Sequence, residues 1–221
     1  MGKDKLKRFE ENKSFRCLYQ PEFEEVFRKD HFMKGKWNSD HFKNSNPIVL
    51  ELGCGRGEYT VALARREPLK NFIGVDIKGA RMWRGAKTAT EEGLLNAAFL
   101  RCRIEFIEWA FAPGEVSEIW ITFPDPQIKS ENKRLTSPAF IERYKKFLLP
   151  GGVIRLKTDS SFLYEYTLDL VSSRDDLLLL EANDDIYGSG RADEILSVKT
   201  RYESQFLAQG YKIHLLEFAQ G

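Results

Sequence analysis

Cysteine, histidine and methionine are scarce, with three of each in 221 residues. Cys17, Cys54 and Cys102 form an odd set without a CxxC pair, which argues against a disulfide framework and suits a reducing compartment. His31, His41 and His214 are scattered without ligand spacing, so no metal site is expected. Apolar runs such as Leu177 to Leu180 are far too short to span a bilayer. The opening MGKDKLKRFEENK has no apolar segment behind its charges, so it does not read as a secretory signal. A cytoplasmic protein is therefore expected. No internal repeat is present.

Charge, by contrast, is abundant, and its distribution says more than the net value of +1. Residues 1–16 hold six cations and three anions, and residues 129–146 hold six cations and two anions. Residues 159–195 carry ten acids against two arginines. A surface divided in this way suits a polyanion on one side and repels it on the other. Either basic segment taken alone is better explained by a solvated helix face.

The hydrophobic pattern alternates strands with helices. PIVLEL (47–52), NFIGVD (71–76), 98–102, SEIWITF (117–123) and VIRLK (153–157) read as strands, with further strands at 177–180 and 211–218. Helices are expected over 58–66, 79–92, 161–172 and 200–209. Another starts at Ser137-Pro138, with Phe140, Ile141, Tyr144, Phe147 and Leu148 on one face. This order predicts an α/β fold: a Rossmann-like doubly wound, mostly parallel seven-stranded sheet with helices on both faces. Residues 1–46 read as a basic N-terminal extension and 47–221 as the principal domain.

Ligands in such sheets sit at the carboxyl ends of strands, near the switch in strand order. Three features fall at predicted strand ends. In ELGCGRGEY (51–59), Gly53, Gly55 and Gly57 permit a tight turn and a close approach of ligand to backbone. Asp76 ends the second strand, where an acid accepts ribose hydroxyls or caps the next helix. Asp125 stands between Pro124 and Pro126, and neither proline can extend a ladder. Lys129, Lys133 and Arg134 follow it, as phosphate contacts or as solvated loop charges.

Glu51 followed by Gly53-Cys-Gly55-Arg-Gly57, an acid ending the second strand, and LLPGG (148–152) before the fifth resemble class I S-adenosylmethionine-dependent methyltransferases over residues 47–218. The spacing is GxGxG rather than the GxGxxG associated with pyrophosphate, which disfavours the rival NAD-linked oxidoreductase. FPDP followed by lysine and NKR, then KTD (157–159) and TRYE (200–203), resemble the bacterial tRNA (guanine-N7)-methyltransferase family. That resemblance implies S-adenosyl-L-methionine as cofactor, tRNA as partner, and the N7 of a guanosine, expected in the variable loop, as methyl acceptor. It implies cofactor contacts from Glu51, Gly53, Gly55, Gly57, Asp76 and Asp125, with Asp125 also catalytic. It implies substrate contacts from Lys129, Asp159, Thr200, Arg201, Tyr202 and Glu203. Another acceptor, a small molecule or a protein, is the alternative within the class.

Thr200 and Glu203 also form a capping-box pattern, and Asp159 could cap the helix that follows it. The chain departs from the family pattern at Gln127, where a tryptophan is usual, and in a shortened basic loop. At the adenine side only Ile104 or Glu105 is available. Guanine N7 carries a free lone pair, so the implied displacement needs no general base and rests on placement and electrostatics. Lys3, Lys5, Lys7 and Arg8 are further candidates for phosphate contact. Whether the chain acts as monomer or homodimer is not fixed by these patterns.

Overall fold

The computed structural model describes residues 3–221; the side chains of residues 3–5 and of Arg201 lie outside the described residues, so Lys3, Lys5 and Arg201 are not placed further. In chain order the regular elements are α1 (Lys3–Asn12), β1 (Leu18–Tyr19), α2 (Phe23–Val26), β2 (Ile48–Leu52), α3 (Glu58–Arg66), β3 (Asn71–Asp76), α4 (Gly79–Glu91), β4 (Ala97–Arg101), β5 (Val116–Thr122), α5 (Pro138–Tyr144), β6 (Leu148–Thr158), α6 (Ser161–Ser172), β7 (Leu177–Asn183), α7 (Arg201–Ala208) and β8 (His214–Gln220). A π-helical turn spans Trp37–Phe42, and a 3-10 turn spans Ile104–Trp109.

The strands form one sheet in the order β1-β4-β3-β2-β5-β6-β8-β7. All neighbours are parallel except β8, which runs antiparallel between β6 and β7. The order reverses at β2 and β5, which places the ligand-binding crevice beyond their carboxyl ends. The sheet has eight strands where seven are expected. The additional one, β1, is a two-residue edge strand pairing Leu18 and Tyr19 with β4, too short to carry a periodic signal.

Both sheet faces are covered, and the alternation along each strand divides the core in two. Ile48, Leu50 and Leu52 of β2 and Ile119 and Ile121 of β5 pack with Trp37, Tyr144 and Leu163. Val49 and Trp120 point the other way, to meet Tyr59 and Leu63 of α3 and Met82 of α4. Residues 3–46 are built into these same layers: Trp37 is fully buried and donates its indole N–H to the Ala110 carbonyl at 3.0 Å.

One helix is shorter than the pattern predicts. α5 stops at Tyr144, and Phe147 and Leu148 leave it through successive turns. Both remain buried, but Leu148 opens β6 and pairs with Val116. Their spacing matches a helical face only because the turn returns them to the same core. The register then shifts between Val116 and Glu118, so that Pro150-Gly151-Gly152 bulges out before β6 resumes opposite β5.

Candidate active site

A cavity of about 930 Å³ opens at the carboxyl ends of β2, β3 and β5. Glu51 forms its floor. Glu51 is almost fully buried, yet its carboxylate is well partnered: the Thr60 amide donates at 2.8 Å, the Thr122 hydroxyl at 2.8 Å, and the Thr60 hydroxyl also donates. Burial pushes the Glu51 carboxyl up to about 7, with Asp76 adding to the rise and the threonine donors opposing it. A buried acid so poised suits a cationic group of a ligand.

The glycine loop divides its work. Gly53, at φ +81°, lines the cavity, and a Cβ built there would meet nothing within 4 Å. Gly55 also lines it and donates its amide to Asp76 at 3.0 Å. Gly57 faces the core instead: at φ +71°, a Cβ would approach Phe99 to 2.4 Å and the Cα of Gly85 to 3.1 Å. The loop therefore needs Gly57 for close packing, while Gly53 leaves its backbone open to the cavity. Asp76 bridges the glycine loop to the next turn, its second oxygen accepting from the Lys78 amide at 2.7 Å.

Of the residues singled out in the sequence, Arg8, Glu51, Gly53, Gly55, Asp76, Thr200 and Tyr202 are brought together around this cavity. Asp125 is not among the lining residues; it stands exposed two positions beyond the lining Phe123. Its Oδ1 accepts from the Gln127 amide at 3.0 Å, closing an Asx turn over 125–127; Phe123 (φ +48°), before the turn, and Gln127 (φ +47°), at its end, are both left-handed. Two non-glycine residues held in this region flank the acid, so the turn is strained as well as proline-braced. Lys129 is exposed beyond it. Asp159, half-buried at the end of β6, has its carboxyl raised by burial. The cap of α6 comes from Ser160, which accepts from the Leu163 amide, and not from Asp159.

Glu203 turns away from the cavity altogether. Thr200 caps α7 by accepting the Glu203 amide at 3.2 Å, but the Glu203 carboxylate is fully buried against Lys157 at 2.8 Å and the Tyr187 hydroxyl at 2.8 Å. Lys157, equally buried, also donates to the carbonyls of Leu196 (2.5 Å) and Val198 (3.2 Å). Burial lowers the Lys157 ammonium, and the Glu203 carboxylate opposes that shift. This pair ties β6 to the segment that delivers Thr200 and Tyr202 to the cavity.

Arg134 does not extend into solvent as its place in a basic loop suggests. It is buried, donates to the Ile128 carbonyl at 3.0 Å, and stacks on Tyr166 and Phe162 at 4.3 and 4.8 Å. It pins the loop after Asp125 onto α6. Ile104 packs against the core and Glu105 pairs with Arg103 at 3.4 Å; neither lines the cavity. Sequence reasoning overlooked Thr60, which holds the Glu51 carboxylate from behind the cavity, and the lining Thr122, Gln205, Arg56, Arg81 and Arg84. The R-x-x-R spacing just after the second-strand acid was the available signal for the last two.

A family described as putative methyltransferase matches residues 45–216. A tRNA (guanine-N(7)-)-methyltransferase of Christiangramia forsetii is 53% identical over 220 residues, covering 98% of each chain. The chain belongs to the tRNA (guanine-N7)-methyltransferase family. Its homologue in Bacteroides fragilis is 51% identical over 218 residues, with 99% of this chain and 86% of that protein covered. Among solved structures, the 16S rRNA methyltransferase KamB superposes with a TM-score of 0.64 at 14% identity, covering 89% of this chain and 97% of that one. At that identity the likeness establishes the class I methyltransferase fold alone.

Proposed function

We infer that the chain transfers a methyl group from S-adenosylmethionine to N7 of a guanosine in tRNA, in the variable loop. The reading is carried by near-full-length identity to tRNA (guanine-N(7)-)-methyltransferases. The cavity chemistry fits the cofactor: a buried carboxylate for an ammonium, a strand-end acid for ribose hydroxyls, and an open glycine backbone. Among the described residues no helix is long and apolar enough to cross a membrane; it is the tRNA substrate that calls for a cytoplasmic location.

When bound, the cofactor supplies an electrophilic methyl on sulfur, which passes to the N7 lone pair by in-line displacement and leaves S-adenosylhomocysteine. No proton need be removed. Glu51 would hold the amino-acid end and Asp76 the ribose, and the chain would so orient the reacting methyl. Asp125, at the rim on a braced turn, accepts hydrogen bonds from the guanine edge and stabilises the positive charge that develops on the purine. Asp159 assists from the end of β6, and Lys129 meets the RNA backbone. Tyr202, about half exposed at the cavity, offers a stacking face for a base that has left its helix, and Thr200 sets the start of its helix.

Incubation with tritiated S-adenosylmethionine and unmodified tRNA, followed by aniline cleavage, tests the reading. Label together with scission at 7-methylguanosine is expected. Label without scission would point to another acceptor atom, and no label would overturn the assignment.

A further inference from the structure

Among the described residues four guanidinium groups line the cavity, and the cofactor accounts for at most one of them. Arg8 comes from α1, Arg56 from the glycine loop, and Arg81 and Arg84 from α4. All four are exposed, and Arg56, Arg81 and Arg84 have no carboxylate partner among the described residues. Elsewhere on the surface some arginines are paired, Arg65 with Glu92 at 2.6 Å, Arg174 with Asp176 at 2.7 Å and Arg191 with Glu181 at 2.8 Å, while Arg16, Arg28 and Arg66 stand apart from one another without a carboxylate partner among the described residues. What sets the cavity apart is that Arg56, Arg81 and Arg84, all without such a partner, converge on one cavity.

Local stability does not explain them either. Arg81 lies in the first turn of α4, which contains no acid and follows Lys78 at the cap. Cations at that end oppose the helix dipole. Arg84, three residues on, shares the same helix face. Between them in sequence, Trp83 carries the Arg8 guanidinium over its ring at 4.9 Å and donates its indole N–H to Glu11 at 2.8 Å. That contact brings Arg8 to the group.

The cofactor bears one carboxylate against a sulfonium and an ammonium, so it is itself a net cation. The acids that suit it are the buried Glu51 and the half-buried Asp76; Glu58, also half-buried, is the third acid lining the cavity. Several guanidinium groups around a cationic cofactor call for a further anionic ligand. The cavity, at about 930 Å³, lies at the upper end of the range that encloses a single drug-sized ligand, which leaves room beside the cofactor.

We propose that Arg81 and Arg84, with Arg8, bind the backbone phosphates that flank the target nucleotide in the RNA. The inference rests on the tRNA reading above. These contacts hold the strand in place once the base has left its stack, without reading its sequence. They lie on α4 and α1, separate from the loop that carries Lys129 and Lys133.

The test is the double variant Arg81→Gln/Arg84→Gln, compared with wild type in tRNA affinity across a salt series, in S-adenosylhomocysteine affinity by calorimetry, and in thermal unfolding. The tRNA Kd should rise about tenfold or more, and the slope of log Kd against log salt should shrink by about 1 to 2. Cofactor-product affinity should stay within about twofold, and the melting temperature should hold or rise, since a cation opposing the helix dipole has gone. Arg84→Gln alone, with a slope change of about 1, keeps the test decisive should the double variant fold poorly. A fall in S-adenosylhomocysteine affinity with an unchanged salt slope would overturn the proposal and assign the arginines to the cofactor carboxylate. Wild-type activity on tRNA with a variant indistinguishable in binding would overturn the phosphate site alone. Failure of the wild type to bind or label tRNA would overturn the reading beneath it.

Discussion

Replacing Lys157 with methionine should expose how the cavity wall is held. Lys157 and Glu203 are both fully buried, and the ammonium serves the Glu203 carboxylate and the carbonyls of Leu196 and Val198. Lys157→Met leaves a buried carboxylate with only the Tyr187 hydroxyl as donor, and two carbonyls without theirs. Breaking one side of a buried pair costs about 3–5 kcal/mol. For a chain of this size that corresponds to a melting temperature lower by roughly 6–20 °C. Removing both charges, in Lys157→Met/Glu203→Leu, should recover most of the loss, because a packed apolar pair is often no less stable than the buried ion pair it replaces. Urea unfolding of wild type, both single variants and the double variant gives the coupling free energy directly. Because Thr200 and Tyr202 reach the cavity on the segment this pair anchors, Lys157→Met should also raise KM for tRNA. A single-variant loss under about 1 kcal/mol, or a double variant whose cost is the sum of the singles, would refute the coupling.

Other perturbations isolate other parts of the site. Glu51, raised from 4.5 to about 7, binds its proton more tightly folded than unfolded, so stability should fall as pH rises from about 4.5 to 7 and level off above. Glu51→Gln should remove that slope in pH-dependent unfolding and gain about 3 kcal/mol at pH 8, while weakening cofactor binding; a retained slope would refute it. At pH 6 cofactor binding should release close to one proton, measurable by calorimetry in buffers of differing ionisation enthalpy. Asp125→Asn keeps an acceptor for the Gln127 amide but loses the charge, so kcat should drop by about 10²–10³ with an unchanged melting temperature; wild-type kcat would show that the charge is unused. Arg134→Ala should leave the salt slope of tRNA binding as it is and speed proteolysis of the loop over 128–134, whereas Lys129→Ala should lower the slope by about one.

Much of the fold is legible because helix and strand periods are clean where both faces of the sheet are covered. The bounds of α3, β3 and α6 coincide with those the pattern predicts. Legibility fails where tertiary contacts choose among local options. Phe147 and Leu148 fit a helical face, yet the pairing of Leu148 with Val116 draws them into a strand. Thr200 and Glu203 fit a capping box, but a buried lysine 46 residues upstream claims the carboxylate, and only the Thr200 half forms. Arg134 reads as one of a basic cluster because spacing cannot show that Tyr166 and Phe162 lie beneath it. Glu51, Gly53, Gly55 and Asp76 are readable because each sits at the end of a strand in a fixed local frame. Arg8 and Arg84, 76 positions apart in the sequence, line one cavity only once α1 docks on α4.

The insertion of β8 between β6 and β7 has a consequence for biosynthesis. Residues 214–220 fill an interior place in the sheet, so β7 has no partner until that stretch has been translated. Until then β6 offers a bare edge, and Lys157 waits for residues 196–203. The nascent chain can assemble β1 to β5 early, but one flank stays open and able to pair with a neighbouring polypeptide. Ribosome-bound chains stopped before residue 214 should therefore aggregate more readily than chains stopped after residue 220.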